Sequence, residues 1–306
     1  MKTRLMRFAP LVLAGLVAAS QLAAQKPAAA PAPVAVKRSL FWKVTSGENS
    51  AYLLGSVHLG TKEMYPLPKE IEDAFEKSTA LIVEVDTNHL DPAKMQSIVM
   101  QTGMYTGDDT LWNHIGKENR TRLEEFCDKY GFPAAGMAKM KPWMATILVA
   151  TLPMMKNGME AGLGIDKYFL DKADKTKKRI VELESAEWQF KLLSGITDTM
   201  LEKYLESTIG EDQVAEAKKL QEAWMSGDPV RVDKLVQEGM SKGPQELNKA
   251  LLTDRNPHMA DVAEQFVKGQ DRGFMVVGAA HMVGKEGIVE LLRQRGYKVE
   301  QVTLAQ

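Results

Sequence analysis

The chain has 306 residues, with 39 Lys plus Arg against 40 Asp plus Glu, and a single cysteine. This balance excludes the clustered basic excess of a nucleic-acid-binding surface, and one thiol excludes an internal disulfide framework. With 44% hydrophobic residues, stability has to come from an ordinary packed core.

Lys2, Arg4 and Arg7 precede an apolar run over residues 8–19 and then Ser20-Gln21-Leu22-Ala23-Ala24. This layout predicts a secretory signal peptide over residues 1–24, its apolar run being shorter than the ~20 residues that cross a bilayer. The chain is therefore read as exported, periplasmic or secreted, with no stable membrane span after cleavage. Residues 25–36 (QKPAAAPAPVAV) form a Pro/Ala-rich linker without core-forming periodicity. Without Lys2, Arg4 and Arg7 the mature chain carries 36 basic against 40 acidic side chains, about −4, and no nucleic-acid partner is expected.

Residues 37–306 read as one α/β domain. The β-prone runs 40–45 and 52–57 flank Ser46-Gly47-Glu48-Asn49-Ser50, which predicts a hairpin. Residues 67–78 have helical spacing through Ile71, Ala74 and Phe75, and 80–85 is the continuous apolar run of a strand buried on both faces. Strand, helix and strand in this order make a right-handed βαβ unit. Helical spacing then covers 93–104, 117–130, 142–156, 186–195, 199–226, 228–242 and 244–268, interrupted by a helix at 164–177 and a strand at 179–183. The C-terminal stretch repeats the first arrangement: a strand at 273–277, a helix at 286–295 and a strand at 297–304. The predicted fold is a central mixed, largely parallel sheet with a large helical insertion over about residues 90–270. Cys127, in the amphipathic stretch LEEFCDKYGF, reads as a small buried apolar residue.

Two segments match each other. Leu53-Leu54-Gly55-Ser56-Val57-His58-Leu59-Gly60 and Val276-Val277-Gly278-Ala279-Ala280-His281-Met282-Val283-Gly284 both run from a strand through Gly-x-x-His to a glycine. Each histidine thus falls just past the carboxyl end of a buried strand, where open α/β sheets bind ligands. If the two strands are neighbours, both imidazoles face one cavity. His89, His114 and His258 sit in polar loop or helix-edge settings and read as solvated.

Carboxylates complete the set. Glu84 ends the apolar strand ALIVEVD, where burial is costly unless a cation or strong donor meets it. Asp86 is a weaker candidate on the same face. Glu184 ends the third strand, with Glu182 on the same face by alternation, and Asp166 opens the helix after Gly164 either as a ligand or as a residue of the first turn. Two imidazoles with Glu84 and Asp166 suit zinc, manganese, cobalt or iron with open positions for water. Such a bound water has its pKa lowered to about 7, and Glu84 or Glu184 can take its proton. Arg255 is the candidate for stabilising an oxyanion. No Gly-x-Ser-x-Gly elbow and no phosphate loop is present.

In chain order, Phe41-Trp42-Lys43-Val44, the first Gly-x-x-His segment, Tyr65-Pro66-Leu67-Pro68 and Leu81-Ile82-Val83-Glu84-Val85-Asp86 resemble the TraB/GumN family, which is related to the Tiki ectodomains. The resemblance continues through Met140-Lys141-Pro142-Trp143, Gly164-Ile165-Asp166, Leu183-Glu184-Ser185, Thr253-Asp254-Arg255-Asn256 and Val277-Gly278-Ala279-Ala280-His281. It implies an α/β fold shared with erythromycin-esterase-like and ChaN-like proteins. Tiki members are described as metal-dependent proteases that use paired Gly-x-x-His motifs and a glutamate, which implies His58, His281 and Glu84 here. The leading expectation is an exported metal-dependent hydrolase acting on a peptide or small molecule. A haem- or other ligand-binding protein is the alternative, drawing on the methionines 137, 140, 144, 154, 155 and 159, and a non-catalytic envelope protein is a third.

Overall fold

A computed structural model describes residues 38–209, 212–241 and 243–304. The expected signal peptide and linker lie outside these residues. Six strands, β1 (Arg38–Ser46), β2 (Asn49–Ser56), β3 (Ala80–Val83), β4 (Arg179–Glu182), β5 (Gly273–Gly278) and β6 (Lys298–Thr303), form one sheet in the order β4-β3-β5-β2-β1-β6. Four neighbours, β4, β3, β5 and β2, run parallel, whereas β1 is antiparallel to both β2 and β6. The α/β class and its mixed, largely parallel sheet follow the sequence reading.

The helices are α1 (Lys69–Lys77), α2 (Pro92–Gly103), α3 (Lys117–Tyr130), α4 (Ala134–Ala138), α5 (Pro142–Lys156), α6 (Ile165–Thr176) and α7 (Ala186–Leu193). They continue as α8 (Asp198–Thr208), α9 (Gln213–Ser226), α10 (Pro229–Ser241), α11 (Gln245–Asn248), α12 (Asn256–Lys268), α13 (Ala279–Met282) and α14 (Ile288–Gln294).

Several boundaries differ from those read off the sequence. The stretch 199–226 is two helices, because the Asp212 side chain accepts from Ala215 N and starts a new one. The stretch 244–268 is likewise broken: a π-type turn over 249–253 ends at Asp254, and Pro257 sits in the first turn of α12, where its missing N–H costs nothing. The two C-terminal strands are not neighbours, since β2 and β1 lie between β5 and β6. Strand β3 stops at Val83, which leaves Glu84 one residue beyond the ladder.

The central strands of the sheet are buried on both faces. On one, Phe274 of β5 is the hub of an aromatic cluster, with ring centroids 4.9 Å from Phe169 of α6, 5.5 Å from Phe75 of α1 and 6.0 Å from Phe41 of β1. On the other, α12 contributes Met259, Ala260 and Ala263, and Trp224 of α9 donates its indole N–H to Gly55 O at 2.6 Å. A second apolar core forms among helices between residues 99 and 209, where Leu123, Phe126, Cys127, Met137, Met140, Trp143 and Met144 pack together. Three of the methionines considered as ligand donors are thus core residues. Cys127 is buried and free, its pKa raised to about 11 by burial, so it is a thiol in the packing. Among the described residues no helix is long and apolar enough to cross a membrane.

Phe274→Ala empties the centre of the aromatic cluster. The expected cost is about 3–5 kcal/mol of unfolding free energy, read from urea denaturation. A loss below about 1 kcal/mol would show that the cluster closes over the gap.

Candidate active site

The four parallel strands all end at one edge, and each delivers a side chain there. β5 runs between β2 and β3, with Ser56 opposite Gly278 and Val83 opposite Val276. His58 follows β2, Glu84 follows β3, Glu184 follows β4 and His281 follows β5 on the single turn α13. The condition set by the paired motifs, neighbouring strands, is met. Pairing also extends past the ladder: Leu183 N donates to Val83 O and Glu184 N to Glu84 O, which sets the two glutamates side by side.

His58 is placed by main-chain docking. Gly60 and Glu160 exchange backbone hydrogen bonds of 3.0 and 2.9 Å, and Ile165 N donates to Val57 O. Only glycines allow this approach: a Cβ on Gly60 would lie 1.9 Å from Leu163 O, and one on Gly164 would lie 2.6 Å from His58 O. The docking brings Asp166, in the first turn of α6, to 3.0 Å from His58 Nδ1. A carboxylate can only accept, so Nδ1 carries the proton of the bond and Nε2 faces the site. Asp166 is thus a first-turn residue that meets the site through His58, and it stands behind that imidazole where the sequence reading offered it as a ligand. Its charge raises the His58 pKa, although the ring is 60% exposed and solvent screens the pair.

His281 is buried and oriented by a residue that sequence reasoning left unassigned. Asn256 Nδ2 donates to Glu286 O at 2.7 Å, which turns Oδ1 towards His281 Nδ1 at 2.6 Å. Nδ1 is then the donor and Nε2 keeps its lone pair, 3.9 Å from Glu84 Oε1. Burial lowers the His281 pKa to about 4, with Glu84 opposing, so the ring is neutral at pH 7.

Glu84 is 13% exposed and fully engaged. Oε1 accepts from Gly278 N at 2.9 Å and Oε2 from Arg255 Nη2 at 2.6 Å. Burial pushes its pKa up, but the imidazoles of His281 and His58, then Arg255 and the Gly278 N–H, overcome this and hold it at about 2. Arg255 is 9% exposed and also forks onto Glu184, Nε to Oε1 and Nη2 to Oε2, both at 2.7 Å. Nη1 donates to Leu251 O at 2.7 Å. The guanidinium proposed as an oxyanion donor therefore has four of its five N–H groups committed.

The centre of the site is Gly278. A Cβ there would stand 3.5 Å from Glu84 Oε1, 3.6 Å from His281 Cδ2 and 3.7 Å from His58 Nε2, so three reactive groups surround one point that only glycine leaves open. As a donor set, two imidazole Nε2 atoms held through their Nδ1 partners and one carboxylate fit a divalent cation. Among the described residues, however, no three His, Cys, Asp or Glu side chains are grouped so that they could hold a metal ion as they stand. Asp166 touches His58 Nδ1, on the far side of the ring from that point, and so orients His58. Asp86 turns away, its carboxylate meeting His89 Nδ1 at 2.8 Å, and Glu182 accepts from Asp86 N. His114 lies elsewhere, between Asp109 and Asp198 and stacked on Tyr105.

The sequence model of the TraB/PrgY/gumN family matches residues 40–301. The uncharacterised proteins YbaP of Shigella flexneri and of Escherichia coli (strain K12) are each 26% identical over 252 residues, covering 81% of this chain and 89% of theirs. An uncharacterised protein of Treponema pallidum (strain Nichols) is 20% identical over 169 residues, 54% of this chain and 49% of its own. No solved structure matches the chain.

Arg255→Ala leaves two buried carboxylates uncompensated and is expected to cost about 3–5 kcal/mol in urea unfolding, with Arg255→Lys intermediate. Because Glu84 is held low, its contribution is complete above the ordinary carboxylate range and is lost as pH falls towards 2. In Arg255→Ala that loss should begin at a higher pH. An unchanged pH profile would mean that Arg255 does not control Glu84.

Proposed function

Because the chain belongs to the TraB/PrgY/gumN family and carries this site, we propose that it is a metal-dependent hydrolase of peptides or related small molecules, acting outside the cytoplasm. One observation carries the reading: the convergence of His58 Nε2, His281 and Glu84 Oε1 around the bare Cα of Gly278. The placement outside the cytoplasm rests on the pattern of residues 1–24 alone.

His58, His281 and Glu84 would hold the ion. A divalent zinc, manganese, cobalt or iron bound there supplies a water acidic enough to attack a carbonyl near neutral pH. The protein's own groups are arranged for that task. His281 is already neutral at pH 7, with Asn256 keeping its lone pair on Nε2. His58 holds a proton more tightly because of Asp166, and that proton has to leave before Nε2 can bind, so uptake strengthens as pH rises. Glu84 is anionic throughout the physiological range. Arg255 and Glu184 act as positioning residues: their fork fixes the Glu84 carboxylate. One Nη1 N–H of Arg255 is left for a substrate oxygen.

Two measurements check this. Purified protein supplied with zinc, manganese, cobalt or iron should take up one ion per chain, and His58→Ala and His281→Ala should each lose it. Cleavage of a mixed peptide and ester library should follow the same pattern. Gly278→Ala is the sharper variant, because its methyl fits at ordinary contact distances, so the fold should persist while the cradle is filled. The reading fails if the folded wild type takes up no ion, or if Gly278→Ala binds and cleaves like the wild type.

Asp166→Asn should lower the His58 titration midpoint towards the unperturbed value near 6.5, measured by NMR of the imidazole protons. Metal uptake at pH 6 to 7 should then become less dependent on pH. A midpoint that does not move would remove Asp166 from the site.

A further inference from the structure

A second concavity of about 360 Å³ opens at the same sheet edge, on the outer side of Glu184. Its wall is shared with the centre just described, because Glu184 and Arg255 line it. Ser185 and Trp188 close one side from the start of α7, and Asp254 and His258 close the other from the turn into α12. Trp188 is 44% exposed, one of three large apolar side chains exposed to that degree among the described residues, the others being Met100 and Val230.

Most of the charged groups in the lining are acceptors. Of the charged residues that line the cleft, Glu184 and Asp254 bring two negative charges against the single positive charge of Arg255, so the lining is net negative. The Asp254 carboxylate lies in the exposed turn, and among the described residues its ion-pair partner is Lys249, at 3.7 Å. His258 donates from Nε2 to Leu183 O at 3.1 Å, which leaves Nδ1 as an acceptor. Arg255, the strongest donor present, has spent four of its five N–H groups. An aromatic face beside unfilled acceptors matches a cation, which gains from the ring quadrupole and from charge-assisted hydrogen bonds together.

We infer that this cleft is a subsite for a cationic side chain, the guanidinium of arginine or the ammonium of lysine, carried next to the bond held at the His58, His281 and Glu84 centre. The role as a substrate subsite rests on the hydrolase reading; the binding of the cation does not. The guanidinium is the better fit, since its planar fork can lie on the indole while its edge reaches Asp254 and His258.

The test reads binding without turnover. In full-length mature protein labelled with ¹⁵N at tryptophan, the Trp188 indole signal is identified by its loss in Trp188→Phe. It is then followed during titration with Nα-acetyl-argininamide, Nα-acetyl-lysinamide and the neutral near-isostere Nα-acetyl-citrullinamide. The expected result is a saturable shift with both cationic probes, at least about tenfold tighter for arginine than for citrulline and several-fold weaker in Asp254→Asn. It should persist in His281→Ala, which removes the reaction centre and leaves the cleft lining intact. Equal shifts for arginine and citrulline, or no shift at all, would overturn the inference. If the shift appears but no peptide is cleaved, the cation site stands and the hydrolase reading falls by itself. If peptides are cleaved with no preference for a basic residue and no shift, the subsite falls and the hydrolase stands.

Discussion

A guanidinium enclosed between two carboxylates is tolerable only when its charge is paired and most of its donors have partners. Arg255 meets that condition with Glu84, Glu184 and Leu251 O, and much of the carboxyl edge depends on it. Glu84 and Glu184 end two adjacent parallel strands, and Arg255 stands at the start of α12. One side chain thus fastens a helix to the sheet at the place where His58, His281 and Glu84 gather. Because Asn256 and His258 follow Arg255 directly, the same anchor sets the partner of His281 and the far wall of the outer cleft. The trio also leaves one unit of negative charge in a partly dry place, and that surplus faces His58 and His281.

Parts of this were legible in the sequence because local pattern carried them. His58 and His281 stood out through two matching Gly-x-x-His turns among only five histidines. Glu84 stood out as an acid directly after a run of buried apolar residues. The π-type turn and the break before α12 could be suspected from Pro257 but not located, since a π turn leaves no mark in hydrophobic spacing. Strand order was not legible at all. That β5 inserts between β2 and β3 depends on which faces pack, and it is this insertion that makes the two histidines neighbours.

The partners of Arg255 lie 171 and 71 residues away in the chain, so no spacing rule could have reached them. A donor expected to face substrate is instead turned onto Glu84 and Glu184. Asn256 was equally hidden: an asparagine at a helix start has an ordinary reading there, and only Glu286 O shows which way its amide points. Trp188 lies inside the stretch 186–195, whose helical spacing gives an apolar residue no special mark. Its exposure is a tertiary fact. The sequence therefore exposed the groups that act and concealed those that aim them.

The seating of His58 has a consequence for how such a protein can change. The segment from Val57 to Gly60 is fastened to the segment from Glu160 to Ile165 by N–H and C=O groups of the main chain, with Gly60 and Gly164 leaving the space. Main-chain groups are common to nearly every residue type, so Leu59, Glu160 and Gly162 can be exchanged with little disturbance to the imidazole behind them. Mutational drift at these three positions is thereby uncoupled from the seating of His58. A lineage built on this arrangement can vary these three residues while His58 keeps its place, and diversity at such positions is what selection would find easiest to accumulate.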